Sequence, residues 1–176
     1  MADRAIAVFL MSCLVAVSAC KKSDRLGPDY HRLLSASDLF DVFRTDVDWR
    51  LELREEGPRR ERLRYTYAPL GGQGPNLVVT LWRRTDRYDR ERLVIEESER
   101  QRGHAVVDLG DGYPTLAFED GRSHQLYRWV AEPQVTIRCA SFGAIGEKAS
   151  LDQLLAIAHR VERRILTIAM ANEGGR

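Results

Sequence analysis

The chain has 176 residues with 27 basic and 26 acidic side chains, a formal net charge of +1, and 44% hydrophobic residues. A balance so close to zero gives no electrostatic ground for a nucleic-acid partner or for an acidic ligand. The length suits one domain of ordinary size around a single core.

The opening stretch carries a short charged start (Asp3, Arg4) and an apolar run from Ala5 that ends in Val17-Ser18-Ala19-Cys20. A membrane-spanning helix needs about 20 apolar residues, so the run from Ala5 to Ala19 is too short to cross a bilayer. Its length, and the small residues that close it, fit a secretory signal instead. Val17, Ser18, Ala19 and Cys20 resemble the lipobox of bacterial lipoproteins, in which an aliphatic residue, a small or aliphatic residue and a small residue precede a cysteine. The resemblance implies that residues 1–19 are removed as a signal peptide. It also implies that the Cys20 thiol receives a diacylglyceryl group and that the freed amino group is usually acylated. Each buried methylene adds about 0.8 kcal/mol, so two or more chains hold a protein to a bilayer without a transmembrane helix. In that family an aspartate directly after the lipidated cysteine favours inner-membrane retention in some bacteria. Lys21 stands there instead, so the expected address is periplasm-facing on the outer rather than the inner membrane.

Residues 20–30 read as the lipidated cysteine and a polar tether, broken by Gly27-Pro28, with Lys21 and Lys22 placed to meet anionic head groups. Cys13 leaves with the signal peptide and Cys20 is acylated, which leaves Cys139 alone and permits no internal disulfide.

Residues 31–176 are predicted as a single α+β domain. Its antiparallel sheet of about five to seven strands packs against a C-terminal amphipathic helix and a short N-terminal helix. Ser35 or Ser37 caps the short helix, whose apolar side is Leu39, Phe40 and Phe43. From Trp49 the period becomes two, with Trp49, Leu51 and Leu53 alternating against charged residues. After Gly57-Pro58 the alternation returns as Leu63, Tyr65 and Tyr67, predicting a hairpin with one wet face. Pro69 to Pro75 holds Gly71, Gly72 and Gly74 but lacks the Lys-Ser/Thr of a phosphate loop, so it reads as a flexible turn. The strand around Leu77, Val79 and Leu81 is largely apolar on both faces and belongs in the middle of the sheet.

Residues 85–102 mix arginines with acids around Tyr88, Leu93, Val94 and Ile95, the pattern of a surface helix with a solvated mixed-charge face. A meander follows, with Ala105 to Leu109, Thr115 to Phe118, a hairpin turn at Asp120-Gly121, a return strand from about His124 to Val130, and Gln134 to Ala140. Cys139 falls on the apolar side of its strand, where burial keeps a thiol protonated and structural. The last helix opens on a Ser150/Gln153 capping box and repeats Leu151, Leu154, Leu155, Ala158, Val161, Ile165 and Ile168 at helical spacing. At 100° per residue Glu162 falls on that same face, which suits a rim carboxylate paired with a strand arginine. The order of elements, with the turn Leu109-Gly110-Asp111-Gly112, is similar to small envelope domains of the PsbP-like class. That resemblance implies an antiparallel sheet against helices and an accessory or binding role.

One cluster has superficial catalytic character: Asp108, Asp111, Glu119, Asp120 and His124, around two turns. Oxygen ligands on neighbouring turns suit hard metals, and a carboxylate beside an imidazole can move protons. Asp and Gly also serve turns for backbone reasons. His31, His104 and His159 are scattered without zinc-ligand spacing. The expected function is therefore a non-catalytic, lipid-anchored envelope module. The membrane is met through Cys20, and aromatic side chains of an open sheet face (Tyr65, Tyr67, Trp82, Tyr127, Trp129) meet a protein or cell-wall partner. No cofactor is expected. The alternative is a lipid-anchored metal-dependent or acid-base hydrolase working through the acidic turns.

Overall fold

The computed structural model describes residues 33–45, 48–56, 61–72, 74–83, 88–107, 109–110, 115–143 and 147–174. Cys20 and the stretches expected as a signal peptide and a tether lie outside the described residues, as do Asp108 and Asp111. The elements run α1 (Ala36–Phe43), β1 (Trp49–Glu56), β2 (Arg62–Pro69), β3 (Asn76–Arg83), α2 (Tyr88–Gln101), β4 (Ala105–Val107), β5 (Thr115–Glu119), β6 (Ser123–Val130), β7 (Val135–Phe142) and α3 (Leu151–Gly174). This is the expected α+β arrangement, with a seven-stranded sheet in the order β1-β2-β3-β7-β6-β5-β4. Every neighbouring pair is antiparallel.

The order explains why α2 lies where it does. After β3 the chain must reach β4 at the far edge, four strand spacings or about 19 Å away. The 14 residues of α2 span about 21 Å, enough to carry the chain over the sheet to that edge. The meander β4-β5-β6-β7 then returns and closes against β3.

Because strand side chains alternate, the sheet has two faces with different covers. Tyr65, Val79, Cys139, Leu126 and Ala117 are successive cross-strand neighbours on the first face. They form one core with Leu39 and Phe43 of α1 and Leu154, Ile157, Val161 and Ile165 of α3. The second face carries a smaller cluster of Leu116, Phe118, Tyr127 and Trp129, with Trp82 and the α2 residue Ile95 packed against it. β3, read as central from its two apolar faces, is third in the sheet and buried from Leu77 to Leu81.

Both end helices open as their sequences require. Ser35 caps α1: its hydroxyl oxygen accepts from the Asp38 N–H at 3.2 Å, and Asp38 accepts in return from the Ser35 N–H at 2.8 Å. Ser150 and Gln153 make the same reciprocal pair ahead of α3. One expectation for α1 is corrected: Leu39 and Phe43 are buried, but Phe40 is 45% exposed. A helix this short turns only a narrow stripe inward, and Phe40 lies 100° round from Leu39.

The α1 cap makes a pH prediction. Burial acts to raise the Asp38 carboxyl, but hydrogen bonds from the Ser35 N–H and hydroxyl and from the Arg160 guanidinium outweigh it and hold the group below its ordinary 3.8. A depressed folded value means stability that is complete above the unfolded value and is lost as pH falls through the folded one. Asp38→Asn is therefore expected to cost about 1 kcal/mol at neutral pH, with the gap from wild type closing below about pH 4. Thermal melts from pH 7 down to 2.5 measure it, and a gap constant over that range would contradict the account.

Candidate functional site

The site is built by α2, whose inner stripe is unusual. Glu91, Ile95 and Glu99 recur at i, i+4 and i+8 and so share one face. That face meets the sheet, while Leu93 is turned outward and 67% exposed, and Val94, 63% exposed, stands at the rim between helix and sheet. The expected solvated mixed-charge helix is thus corrected for its inner side. Only its outer side behaves that way, laced by the i,i+4 pairs Arg100–Glu96 and Gln101–Glu97. The reason is the chemistry beneath it, because the facing strands present indole N–H, phenol, hydroxyl and amide donors that need acceptors.

Glu91 meets three of those donors. Its Oε1 accepts from Trp82 Nε1 at 2.8 Å, and its Oε2 accepts from Trp129 Nε1 at 2.8 Å and Thr136 Oγ1 at 2.9 Å, tying α2 to β3, β6 and β7.

Glu99 is 2% exposed and is the deepest carboxylate among the described residues. It accepts from Tyr127 Oη at 2.9 Å, Gln125 Nε2 at 3.3 Å and Arg102 Nη1 at 3.0 Å, and from His104 Nδ1 at 2.5 Å. The turn that ends α2 makes the last contact possible. Gly103 takes φ +83°, a left-handed conformation that glycine adopts without strain, and the His104 N–H bonds back to the Glu99 carbonyl at 3.1 Å. The same two residues are therefore joined through backbone and side chain. His104 Nε2 lies 2.8 Å from Asp120 Oδ2, so the ring stands between two carboxylates.

Between α2 and the second face opens a cleft of about 300 Å³, lined by Arg62, Arg64, Arg102 and Arg138 with Thr80 and Trp82. Two carboxylates, Glu56 and Glu99, also border it. Arg62 lies 3.6 Å from Glu56 and sits over the Trp82 ring at 5.5 Å. Arg138 donates from Nε and Nη2 to Gln125 Oε1 at 3.2 and 2.6 Å and stands 5.8 Å from the Tyr127 ring centroid. Since Gln125 donates in turn to Glu99, the buried acid fixes the amide that fixes the arginine. Burial of Tyr127, with the Glu99 charge acting in the same direction, pushes its phenol up to about 12, so it stays a donor. Nothing in the sequence marked this cleft. The nearest signal was the Glu91/Ile95/Glu99 spacing, which places two acids on the stripe an apolar residue also uses.

The residues singled out from sequence fall elsewhere. Of the acidic cluster, Asp108 and Asp111 are outside the described residues; Glu119 and His124 remain cross-strand partners, while Asp120 is engaged in its own turn. His124 donates from Nδ1 to the Ala149 carbonyl at 2.7 Å and keeps Glu119 at 3.9 Å. Asp120 shapes its hairpin, accepting from the Arg122 and Ser123 N–H groups at 2.6 and 2.5 Å. Burial opposes ionisation of Asp120, but those bonds and the His104 charge prevail and hold the carboxyl below its usual range. Glu162 pairs with the strand arginine Arg128 at 2.7 Å, as its place on the helix predicted. Arg128 also reaches Thr115 Oγ1 at 2.7 Å. Cys139 is fully buried, and burial pushes its thiol up to about 12 against the opposing Arg138 charge. The aromatics expected on an open face are covered: Tyr65 and Tyr67 lie in the α1/α3 core, and Tyr127 and Trp129 are buried beneath α2, with Trp82 half-buried beside them. Among the described residues no group of His, Cys, Asp and Glu side chains is gathered to hold a metal, and no helix is long and apolar enough to cross a membrane. No protein-family model, curated protein or solved structure matches this chain.

Proposed function

We propose that the chain is a lipid-anchored, periplasm-facing module of a bacterial cell envelope that holds a ligand, or a group of a partner, in the cleft beneath α2 without catalysing a reaction on it. The observation that carries this reading is the cleft: its volume of about 300 Å³ falls at the small end of ligand pockets, and oriented arginines and an indole line it. The non-catalytic part is supported by the acids and imidazoles of the described turns, which hold structural partners. His124 is tied to Ala149, Asp120 to its hairpin and His104 to Glu99. The lipobox residues Val17 to Cys20 supply the address.

Mass spectrometry of the native amino terminus, combined with site-directed photocrosslinking, tests both parts. The mature polypeptide is expected to begin at Cys20 with a diacylglyceryl mass on its sulfur. A photoreactive amino acid at Val94, on the cleft wall, is expected to give an adduct in the envelope that the same group at the exposed Arg163 of α3 does not. A chain that keeps Met1 and a free thiol at position 20 overturns the anchor. Equal labelling at positions 94 and 163 overturns the cleft.

A further inference from the structure

We infer that the cleft binds a phosphate group, gripped by the cross-strand row Arg64, Thr80 and Arg138; the inference rests on the reading of the cleft as the ligand site. The register places Arg64 opposite Thr80 and Thr80 opposite Arg138, so the three side chains leave the second face in one line. Two strand spacings put the arginine backbones about 10 Å apart, with the threonine between them. The row continues outward, for Arg54 of β1 is the direct partner of Arg64.

Arg54 and Arg64, both exposed, stand directly opposite each other, and like charges so placed weaken a strand pair. Among the described residues neither Arg54 nor Arg64 has a carboxylate partner, and Arg138 is held only by a neutral amide and a ring face. The other two cleft arginines are matched, Arg62 with Glu56 and Arg102 with Glu99. The cleft therefore keeps two uncompensated guanidinium groups, of which Arg138 is already oriented and keeps Nη1 uncommitted. A local rule broken in this way, at the wall of a cavity, marks a place where a ligand supplies the missing charge.

Charge and donor count both select phosphate. A phosphate monoester carries about −1.5 to −2 at neutral pH, which matches two free arginines, whereas one carboxylate carries half of that. Its three terminal oxygens match the Arg64 fork, the Arg138 Nη1 group and one hydroxyl, and an arginine fork binds phosphate bidentately. Trp82 closes the wall beside the row, with the Arg62 guanidinium over its ring. The near-zero net charge of the whole chain does not oppose this, because the excess is confined to one cleft.

The test is calorimetric titration of the full chain in neutral detergent with glycerol phosphate, inorganic phosphate, succinate and glycerol. Glycerol phosphate is expected to bind at one site, more tightly than succinate, and to weaken as ionic strength rises. Arg64→Gln and Arg138→Gln are each expected to lower its affinity roughly tenfold or more, with Arg163→Gln unchanged. The salt dependence is read on the unsubstituted protein, so the test survives a variant that folds poorly. Thermal melts with micelles carrying phosphatidic acid separate the sources. A response there and not to the soluble ester identifies a lipid headgroup, the reverse identifies a free ester, and both support the phosphate site. Tighter binding of succinate, or of glycerol, overturns the phosphate assignment while leaving the cleft as a ligand site. Glycerol phosphate affinity unmoved by both arginine substitutions overturns the inference outright. Failure of the cleft itself is a separate result, read from the labelling at position 94.

Discussion

Glu99→Ala is expected to unfold this domain at markedly lower urea or temperature than wild type, by about 3 kcal/mol or roughly 10 °C. The size follows from what the substitution leaves behind. The carboxylate is nearly inaccessible, and its removal strands a phenol, an amide and an imidazole ring under α2 and leaves Arg102 without its acid. Removing one partner of a buried charged pair exposes the desolvation cost of the other, which is larger than the net value of the pair. Glu99→Gln keeps an acceptor for Tyr127 but no charge for His104, so its cost is expected to be smaller, about 1 to 2 kcal/mol. In a double-mutant cycle His104→Ala should cost less in the Glu99→Ala background than alone, since the two side chains share one interaction. A Glu99→Ala protein within about 0.5 kcal/mol of wild type, the range of an ordinary surface change, would remove Glu99 as the hub of this face.

That hub was invisible in the sequence for a definite reason. Charged residues are read as solvated because an unpaired buried charge is so costly, and the rule holds for the outer side of α2, where Arg100 meets Glu96. It fails for Glu91 and Glu99 because their partners come from β3, β6 and β7, far away in the chain and unassignable before the strand order is known. The arginine row is hidden in the same way. Arg64 and Arg138 are far apart in the chain and become neighbours across Thr80 only when β7 closes against β3. What could be read was local. The alternation of Leu63, Tyr65 and Tyr67 gave a strand with one buried face, and the largely apolar faces of the strand around Leu77, Val79 and Leu81 gave a central one. Ser150 with Gln153 gave the start of α3, and the rim position of Glu162 gave its arginine partner. Fold class follows from such local periods. A cleft lined from five strands and a crossing helix does not, and the five aromatics expected on an open face show the same limit, since the period of a strand does not say which helix will cover it.

The two covered faces give a second prediction, which separates folding from binding. Leu154→Ala is expected to cost about 3 kcal/mol, within the 2 to 5 usual for emptying a fully buried leucine site. Leu154 is completely inaccessible in the core that α3 shares with α1 and the first face of the sheet. Alanine is the best helix former, so the loss is one of packing and not of helix. Met170→Ala on the same helix, 68% exposed, is expected to stay within about 0.5 kcal/mol of wild type. The arginine row points to the opposite side of the sheet from Leu154. Below its melting temperature the Leu154→Ala protein should therefore keep its glycerol phosphate affinity. Glu99→Ala should lose both stability and affinity, because Gln125 is then free to turn and Arg138 loses the amide that orients it. Urea denaturation and calorimetric titration of the two variants side by side decide the matter. Equal losses of affinity would mean that the two faces act as one unit, and that the carboxylate beneath α2 has no special hold on the cleft.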